Sequence, residues 1–216
     1  MRVCDSNLAQ RLPMPEFIYL ASQSPRRAQL LAQIGVRFEL LLPQQGEDAE
    51  ALENVHGDES PEHYVQRVTD LKLDAAMARL ASQDLAQAPV LCSDTTVALG
   101  GLILGKPEGA ADAARMLALL AGQTHRVITA VALQHQDRRL KALSVSEVSF
   151  APMSAADIDD YVFSGEPMGK AGAYAVQGRA AMYITRIGGS YTGIMGLPLY
   201  ETASLLRAAG MRLSSA

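Results

Sequence analysis

The sequence predicts an α/β fold with an elongated mixed sheet flanked by helices. Strand-like and helix-like segments are interleaved along the whole chain, and tight turns near its middle join neighbouring strands into hairpins. The hairpins argue against a purely parallel, doubly wound sheet. With 216 residues, 49% of them hydrophobic, the chain is long enough to bury a sizeable core.

The first predicted unit is a strand, a short loop and a helix. Residues 1–15 form a polar extension with no expected role in the fold. An apolar run at 17–20 predicts the strand, and the run at 28–34 predicts the helix. Ser24 is the expected N-cap of this helix, with Pro25 in its first position.

The loop before this helix has the features of an anion site. Unpaired N–H groups and the positive end of the helix dipole attract anions. Arg26 and Arg27 add forked donors that fit phosphate oxygens. The same residues are also typical of an ordinary helix start beside a solvated arginine pair. The loop alone therefore leaves both interpretations open.

A long helix is predicted after the second strand. This strand, at 36–42, leads into a polar and acidic loop at 44–60, most of whose carboxylates we expect to be solvated surface groups. The helix begins at Ser60, with Pro61 in its first position. Lys72 lies in this helix and can extend toward a site, but an ordinary surface lysine is the simpler interpretation.

Segment 88–99 is the most strand-like part of the chain, and it carries Asp94 in its middle. Ionised carboxylates are seldom buried without a partner, so Asp94 either caps the end of a strand or points into a polar cleft. The cost of burial favours the cleft. Gly100 and Gly101 predict a hairpin turn, which brings Lys106 back toward the strand of Asp94.

The rest of the chain is predicted to alternate between helices and strands. The elements are a helix at 109–121, a hairpin of strands at 124–133 and 142–150, a helix through residue 161 that Ser154 caps, a strand at 182–187, a flexible loop at 188–193 and a final helix at 196–210. The glycine-rich segment 169–178 is more typical of a surface loop than of a pocket.

Composition argues against several classes of function. The formal net charge of −4 disfavours sequence-independent nucleic-acid binding. No apolar run approaches the roughly 20 residues needed to span a bilayer, and the N-terminus lacks the regions of a signal peptide. Cys4 and Cys92 show neither metal-site spacing nor a disulfide framework. We therefore expect a reduced core thiol at Cys92 and a cytoplasmic protein without membrane or nucleic-acid partners.

The sequence contains none of the common nucleotide-binding or hydrolase motifs. We expect structural or surface roles for the four histidines, His56, His63, His125 and His135. What remains is a set of cations and carboxylates near glycine-rich turns: Arg26, Arg27, Lys72, Lys106, Glu47 and Asp94. Chemistry at a polyphosphate needs this set, because cations neutralise the non-bridging oxygens and carboxylates hold a hard cation or orient a water.

In order and spacing, these motifs resemble the Maf family of nucleoside triphosphate pyrophosphatases. The resemblance runs from about residue 17 to 210 through segments 20–27, 93–95, 105–107, 122–125, 170–178 and 196–199. It implies two lobes around a central cleft, similar to inosine triphosphate pyrophosphatases, in a single domain at 16–212 that forms a homodimer. It also implies Mg²⁺- or Mn²⁺-dependent cleavage of nucleoside triphosphates to the monophosphate and pyrophosphate.

The resemblance further implies roles for individual residues. Asp94 matches the family's proton acceptor and Glu47 its second acidic position. Both are expected to act in catalysis, as ligands of the metal or as groups that orient the attacking water. Lys72 and Lys106 match its phosphate-contacting lysines, and Lys106 is also expected to act in catalysis. The expected wall of the triphosphate cleft consists of Ser22, Ser24, Arg26 and Arg27.

Three positions imply the branch of the family: Arg26, Thr95 and Gln177 match members that act on dTTP and UTP. The amide of Gln177 both donates and accepts, which suits the O4 and N3–H edge of uracil or thymine. Members that act on 7-methyl-GTP carry a carboxylate there, which only accepts. One departure is Gly46, where members commonly have an acid. It supports a second hypothesis, a non-catalytic nucleotide-binding regulator of septum formation.

Overall fold

The computed structural model describes residues 15–44, 47 and 51–213. The predicted N-terminal extension, with Cys4, lies outside the described residues except for its last position. Gly46 also lies outside them. No helix in these ranges is both long and apolar enough to cross a bilayer.

Strands and helices are mixed along the described chain, as predicted. The strands are β1 (Ile18–Leu20), β2 (Phe38–Leu40), β3 (Val90–Leu99), β4 (Leu102–Leu104), β5 (Thr124–His135), β6 (Arg138–Phe150) and β7 (Ile184–Gly188). The α-helices are α1 (Pro25–Gln33), α2 (Pro61–Ser82), α3 (Ala110–Leu120), α4 (Ala155–Phe163), α5 (Tyr191–Ile194) and α6 (Leu199–Ala208). Short 3₁₀ helices form at Ala51–Glu53, Ala171–Ala173 and Arg179–Tyr183.

The strands form one mixed sheet in the order β2-β1-β3-β5-β6-β7, with β4 paired to β3. Strand β1 runs parallel to both β2 and β3, and every other pair is antiparallel. The predicted hairpins are β3–β4 and β5–β6. The α/β fold with a mixed sheet flanked by helices is therefore confirmed.

Helix α2 covers one face of the central strands β3 and β5. Because side chains alternate along a strand, Cys92, Asp94 and Ala98 of β3 share this face. Cys92 belongs to an apolar cluster with Leu73 of α2, and Ala98 to one with Tyr64. Cys92 is a free, buried thiol, as predicted, and burial raises its pKa to about 12. Asp94 is thus a carboxylate in the middle of a buried strand face whose other members are uncharged.

The opposite face of β3 and β5 carries two apolar clusters. Leu91 packs in one of them with residues of α1 and α6, and Val97 packs in the other with residues of α3 and α4. Between the clusters lies a polar band of Ser93, Thr95 and Thr129, all three making side-chain hydrogen bonds. This band separates the two apolar clusters on this face of the sheet.

The predicted capping residues stand at three helix starts, but only two of them cap with their side chains. Ser60 Oγ accepts a backbone N–H of α2 at 3.3 Å, and Ser154 with Asp157 completes a capping box on α4. Ser24 occupies the N-cap position of α1 without the predicted side-chain bond. Its backbone N–H donates instead to Ser22 Oγ at 3.1 Å. The first N–H groups of α1 therefore lack the predicted side-chain acceptor.

Two segments near the C-terminus differ from their predictions. The strand predicted at 182–187 starts only at the third of these residues, after a 3₁₀ turn. The loop predicted to be flexible at 188–193 contains the start of α5, which Ser190 caps. A Cβ at Gly193 would lie 3.1 Å from Ser144 Oγ, so this glycine permits close approach to β6 rather than flexibility.

His125 has a structural role, as predicted, but its hydrogen bonds are incomplete. Its ring packs edge-on against Phe150 and Tyr174, and Nε2 lies 2.8 Å from the Tyr174 hydroxyl. Nδ1 is buried without a hydrogen-bond partner in the described part of the chain. Burial lowers the pKa of His125 from 6.5 to about 4, so the ring is neutral at pH 7.

This neutral histidine predicts acid sensitivity. Between pH 6.5 and 4 the unfolded chain takes up a proton at His125 that the folded protein does not, so stability is lost as the pH falls through this window. Over this window, the free energy of unfolding should fall by roughly 3 kcal/mol more in the wild type than in His125→Phe. Urea unfolding at several pH values measures this difference. Parallel pH curves for the two proteins would contradict it.

Candidate active site

A cleft of about 870 Å³ lies between the loop before α1, helix α2, the middle of β3 and segment 168–177. It brings together every residue that the sequence predicted for the site. These lining residues are Ser22, Ser24, Arg26, Arg27, Glu47, Lys72, Asp94, Thr95, Lys106 and Gln177. The chain positions of this set span most of the protein, so the fold alone assembles the cleft.

Asp94 lies in the cleft and is 6% exposed. The prediction that this carboxylate points into a polar cleft is therefore confirmed. Its Oδ1 accepts a hydrogen bond from Lys72 Nζ at 2.6 Å. The side chain of Lys72 is only 18% exposed, so the simpler interpretation of an ordinary surface lysine is wrong. The long α2 places this ammonium over Asp94, the one charged residue of β3.

Glu53 is a charged member of the cleft that the sequence analysis missed. Its Oε1 accepts from Lys72 Nζ at 2.7 Å and from Lys106 Nζ at 3.1 Å, while Oε2 lies 3.0 Å from Lys106 Nζ. Burial would raise the pKa of Glu53, but the two lysines outweigh it and hold the pKa below its usual value. Asp94, Lys72, Glu53 and Lys106 thus form a continuous chain of alternating charges.

Glu47 forms an ion pair with a different cation, the buried guanidinium of Arg79. Arg79 Nε lies 3.2 Å from Glu47 Oε1, Nη2 contacts Oε2, and Nη1 donates to the Leu41 carbonyl at 3.0 Å. The hydrogen bonds from Arg79 lower the pKa of Glu47. The sequence analysis did not single out Arg79. Its role depends on a carboxylate from a distant loop.

Arg27 joins two loops of the cleft wall. Its Nε donates to the Gly196 carbonyl at 2.8 Å, and its Nη1 donates to Ser22 Oγ at 3.2 Å. Ser93 Oγ donates to the same carbonyl at 2.9 Å. Desolvation lowers the pKa of Arg27, and the nearby charge of Asp94 opposes this shift. Arg27 therefore fixes the wall as well as adding charge to it.

Thr95 presents an acceptor to the cleft. The Thr129 hydroxyl donates to the Gly193 carbonyl at 2.8 Å, so its single proton is used. The Thr95 hydroxyl, 2.9 Å from that of Thr129, must then donate its own proton to Thr129. The remaining lone pairs of Thr95 stay available to a ligand.

Segment 169–178 forms part of the cleft, so the prediction of a surface loop is wrong for most of it. Tyr174, Ala175 and Val176 are buried and line the cleft, and Gln177 beside them is exposed. The glycines allow tight packing: at Gly172 the backbone φ is +66°, and a Cβ would lie 2.9 Å from the Val97 side chain. Glycine content therefore marks close approach here, not exposure.

Residues 17–209 match the family described as Maf-like protein. The chain belongs to this family. A relative from Polaromonas sp. strain JS666, named dTTP/UTP pyrophosphatase, is 68% identical over 202 residues, which cover 94% of this chain and 100% of the relative. A protein of the same name from Albidiferax ferrireducens is 62% identical, over 93% of this chain and 100% of its own length.

Among solved structures, the chain aligns with a nucleoside-triphosphatase / dITP/XTP pyrophosphatase from Mycobacterium abscessus. The alignment covers 63% of this chain and 75% of the other, with 16% identity and a TM-score of 0.37. No conclusion about this chain rests on that alignment. Its family membership rests on the match to the Maf-like family, which covers almost the same residues as the motifs in the sequence.

Proposed function

We propose that this Maf family protein is a nucleoside triphosphate pyrophosphatase that acts on dTTP and UTP. The observation that carries the proposal is the contact of the buried Asp94 with Lys72 inside a cleft lined by further cations. The names of its relatives support the same two substrates. The proposed cellular role of this enzyme is to remove these nucleotides from the nucleotide pool.

In the proposed reaction, Asp94 accepts a proton from a water molecule whose oxygen attacks the α-phosphorus. The bond between the α-phosphorus and the α–β bridging oxygen breaks, and pyrophosphate leaves with the electron pair. Lys72, Lys106 and Arg26 neutralise charge on the non-bridging oxygens. Ser22, Ser24 and the N–H groups that begin α1 bind phosphate oxygens next to Arg27. No covalent intermediate with the protein is needed.

The oxygen donors of the cleft fit a divalent cation such as Mg²⁺ or Mn²⁺. Asp94 uses Oδ1 for Lys72, and its Oδ2 takes no hydrogen bond from any residue in the described ranges. The same ranges contain no group of three or more His, Cys, Asp or Glu that could hold a metal ion by itself. One or two carboxylates plus substrate phosphates are enough for Mg²⁺. We propose Asp94 and Glu47 as ligands of a cation that polarises the phosphoryl oxygens.

Arg26, Thr95 and Gln177 are the proposed selectors of the base. Gln177 is exposed at the cleft, where its amide is able to donate to O4 and accept from N3–H of a pyrimidine. The free lone pairs of Thr95 add an acceptor. The homodimer and the cytoplasmic location stay predictions of the sequence analysis.

Pyrophosphate release across a panel of nucleoside triphosphates with Mg²⁺ tests the proposed function. We expect dTTP and UTP to be cleaved fastest, with ATP, GTP and 7-methyl-GTP at least about tenfold slower in kcat/KM, because one or two mismatched hydrogen bonds at the base cost that much. A preference for a purine would overturn the proposed selection of pyrimidine bases but not the proposed pyrophosphatase activity.

A non-catalytic nucleotide-binding regulator of septum formation is the second hypothesis, and it would use the same cleft. It predicts binding of dTTP or UTP with no pyrophosphate release from any nucleotide in the panel. The Polaromonas relative's name, dTTP/UTP pyrophosphatase, favours the enzyme. Binding measured beside turnover on the same preparation separates the two hypotheses.

A further inference from the structure

Glu53 occupies the two lysines that the proposed function assigns to the triphosphate. Its carboxylate reaches Lys72 at 2.7 Å and Lys106 at 3.0 and 3.1 Å. Lys72 also donates to Asp94, so at least two of its three N–H donors are taken. A carboxylate that contacts both ammonium groups makes the charge-assisted bonds that a phosphate oxygen would make.

A triphosphate cannot share these lysines with Glu53 at low cost. Its negative charges would enter a partly buried site that already holds two carboxylates, and like charges repel strongly where water is largely excluded. The Glu53 side chain is 23% exposed, so solvent is within its reach. Releasing Glu53 toward solvent removes the repulsion and frees donors on both lysines together.

The backbone around Glu53 is held in place independently of its side chain. The Tyr64 hydroxyl donates to the Glu53 carbonyl at 2.9 Å, and Arg67 Nη2 donates to the carbonyl of Asn54 at 2.8 Å. Glu53 ends a short 3₁₀ helix, Ala51–Glu53. Side-chain rotation is therefore enough to move the carboxylate off the lysines, and no refolding of the loop is required.

We propose that Glu53 is an internal competitor of the substrate: it holds Lys72 and Lys106 in the free protein, and the triphosphate displaces it. This inference rests on the proposed function for the identity of the ligand. In the free protein, Glu53 keeps two cations paired and correctly placed. The consequence is that its carboxylate weakens the binding of any polyphosphate while it preorganises the lysines.

Binding of inorganic tripolyphosphate in EDTA, measured by calorimetry, tests this proposal without turnover or metal. Glu53→Gln keeps the size of the side chain and removes its charge, so the Kd should tighten on the order of fivefold, the typical worth of a partly exposed ion pair. Glu53→Asp keeps the charge on a shorter stem and should lie between the wild type and Glu53→Gln. A merely structural role for Glu53 would weaken binding instead.

Asp58→Asn is the matched control. It removes one charge from the same loop at an exposed residue that contacts neither lysine in the described ranges, so the Kd should stay at the wild-type value. Unchanged or weaker binding in both Glu53 variants would overturn the proposal. So would a Glu53→Gln protein that loses affinity for Mn²⁺ without gaining affinity for tripolyphosphate, because Glu53 would then be a metal ligand. Failure of the proposed function is distinguishable from failure of this proposal, because the binding of tripolyphosphate reports on the two lysines even if no nucleotide is cleaved.

Discussion

Replacing Asp94 with asparagine is expected to lower the turnover number for dTTP and UTP about 10³-fold, while the fold stays intact. The amide oxygen is able to keep the 2.6 Å contact with Lys72, so the packing of β3 against α2 survives. The amide cannot accept the proton of the attacking water, and it is a poorer ligand for a cation. The loss should therefore appear in kcat, measured by pyrophosphate release at saturating substrate.

The control for this variant is Asp70→Asn. Asp70 also accepts from a lysine at 2.6 Å, Lys141, but this pair does not line the cleft. Asp70→Asn removes the same charge from the protein as Asp94→Asn. It should leave the turnover number within about twofold of the wild type, as expected of surface substitutions. Asp94→Asn with wild-type turnover would exclude Asp94 as the proton acceptor, whatever its position in the cleft.

The position of Asp94 was predictable because one local conflict marks it. An ionised carboxylate within an apolar strand is costly unless it meets a partner, and alternation along β3 fixes which face it shares with Cys92 and Ala98. The turn at Gly100 and the caps at Ser60 and Ser154 also have local causes, and their predicted positions agree with the structure. Interactions between residues close together in the sequence determine all of these features.

Glu53 and Arg79 were not predictable in the same way, because their roles depend on distant partners. Glu53 meets lysines 19 and 53 positions away, and Arg79 meets a carboxylate 32 positions away. Within its own loop, Glu53 is one acid among several. Most acids of that loop were expected to be solvated, and the family resemblance singled out only Glu47. The fold is needed to distinguish Glu53 from the others.

The segment before Gln177 shows why glycine content misled the prediction. Glycine permits both a flexible loop and a close approach of two backbones, and the sequence does not separate these two uses. In the structure, a Cβ at Gly178 would lie 2.2 Å from the carboxylate of Glu166. That carboxylate accepts from the Tyr161 hydroxyl at 2.7 Å and from the Arg179 backbone N–H at 3.1 Å. Close packing around Glu166, not flexibility, therefore positions the end of the cleft that carries Gln177.

Replacing Lys72 with methionine is expected to lower kcat/KM for dTTP and UTP by at least about 10²-fold. Methionine keeps the length of the apolar stem but removes the cation that Asp94 and Glu53 share. The pKa of Glu53 should rise, because one of the two lysines that hold it down is gone. Two carboxylates would then face the triphosphate without that charge, so both substrate binding and turnover should fall.

Lys141→Met is the matched control for this variant. Lys141 Nζ also lies 2.6 Å from a carboxylate, that of Asp70, so the substitution breaks an equivalent ion pair at equal length outside the cleft. Steady-state kinetics on both variants separate a loss of net charge from the loss of this particular ammonium. If Lys72→Met kept activity within about threefold of Lys141→Met, the lysine would be a structural partner of Asp94. A large loss confined to Lys72→Met assigns the effect to this ammonium in the cleft, because both variants lose the same net charge.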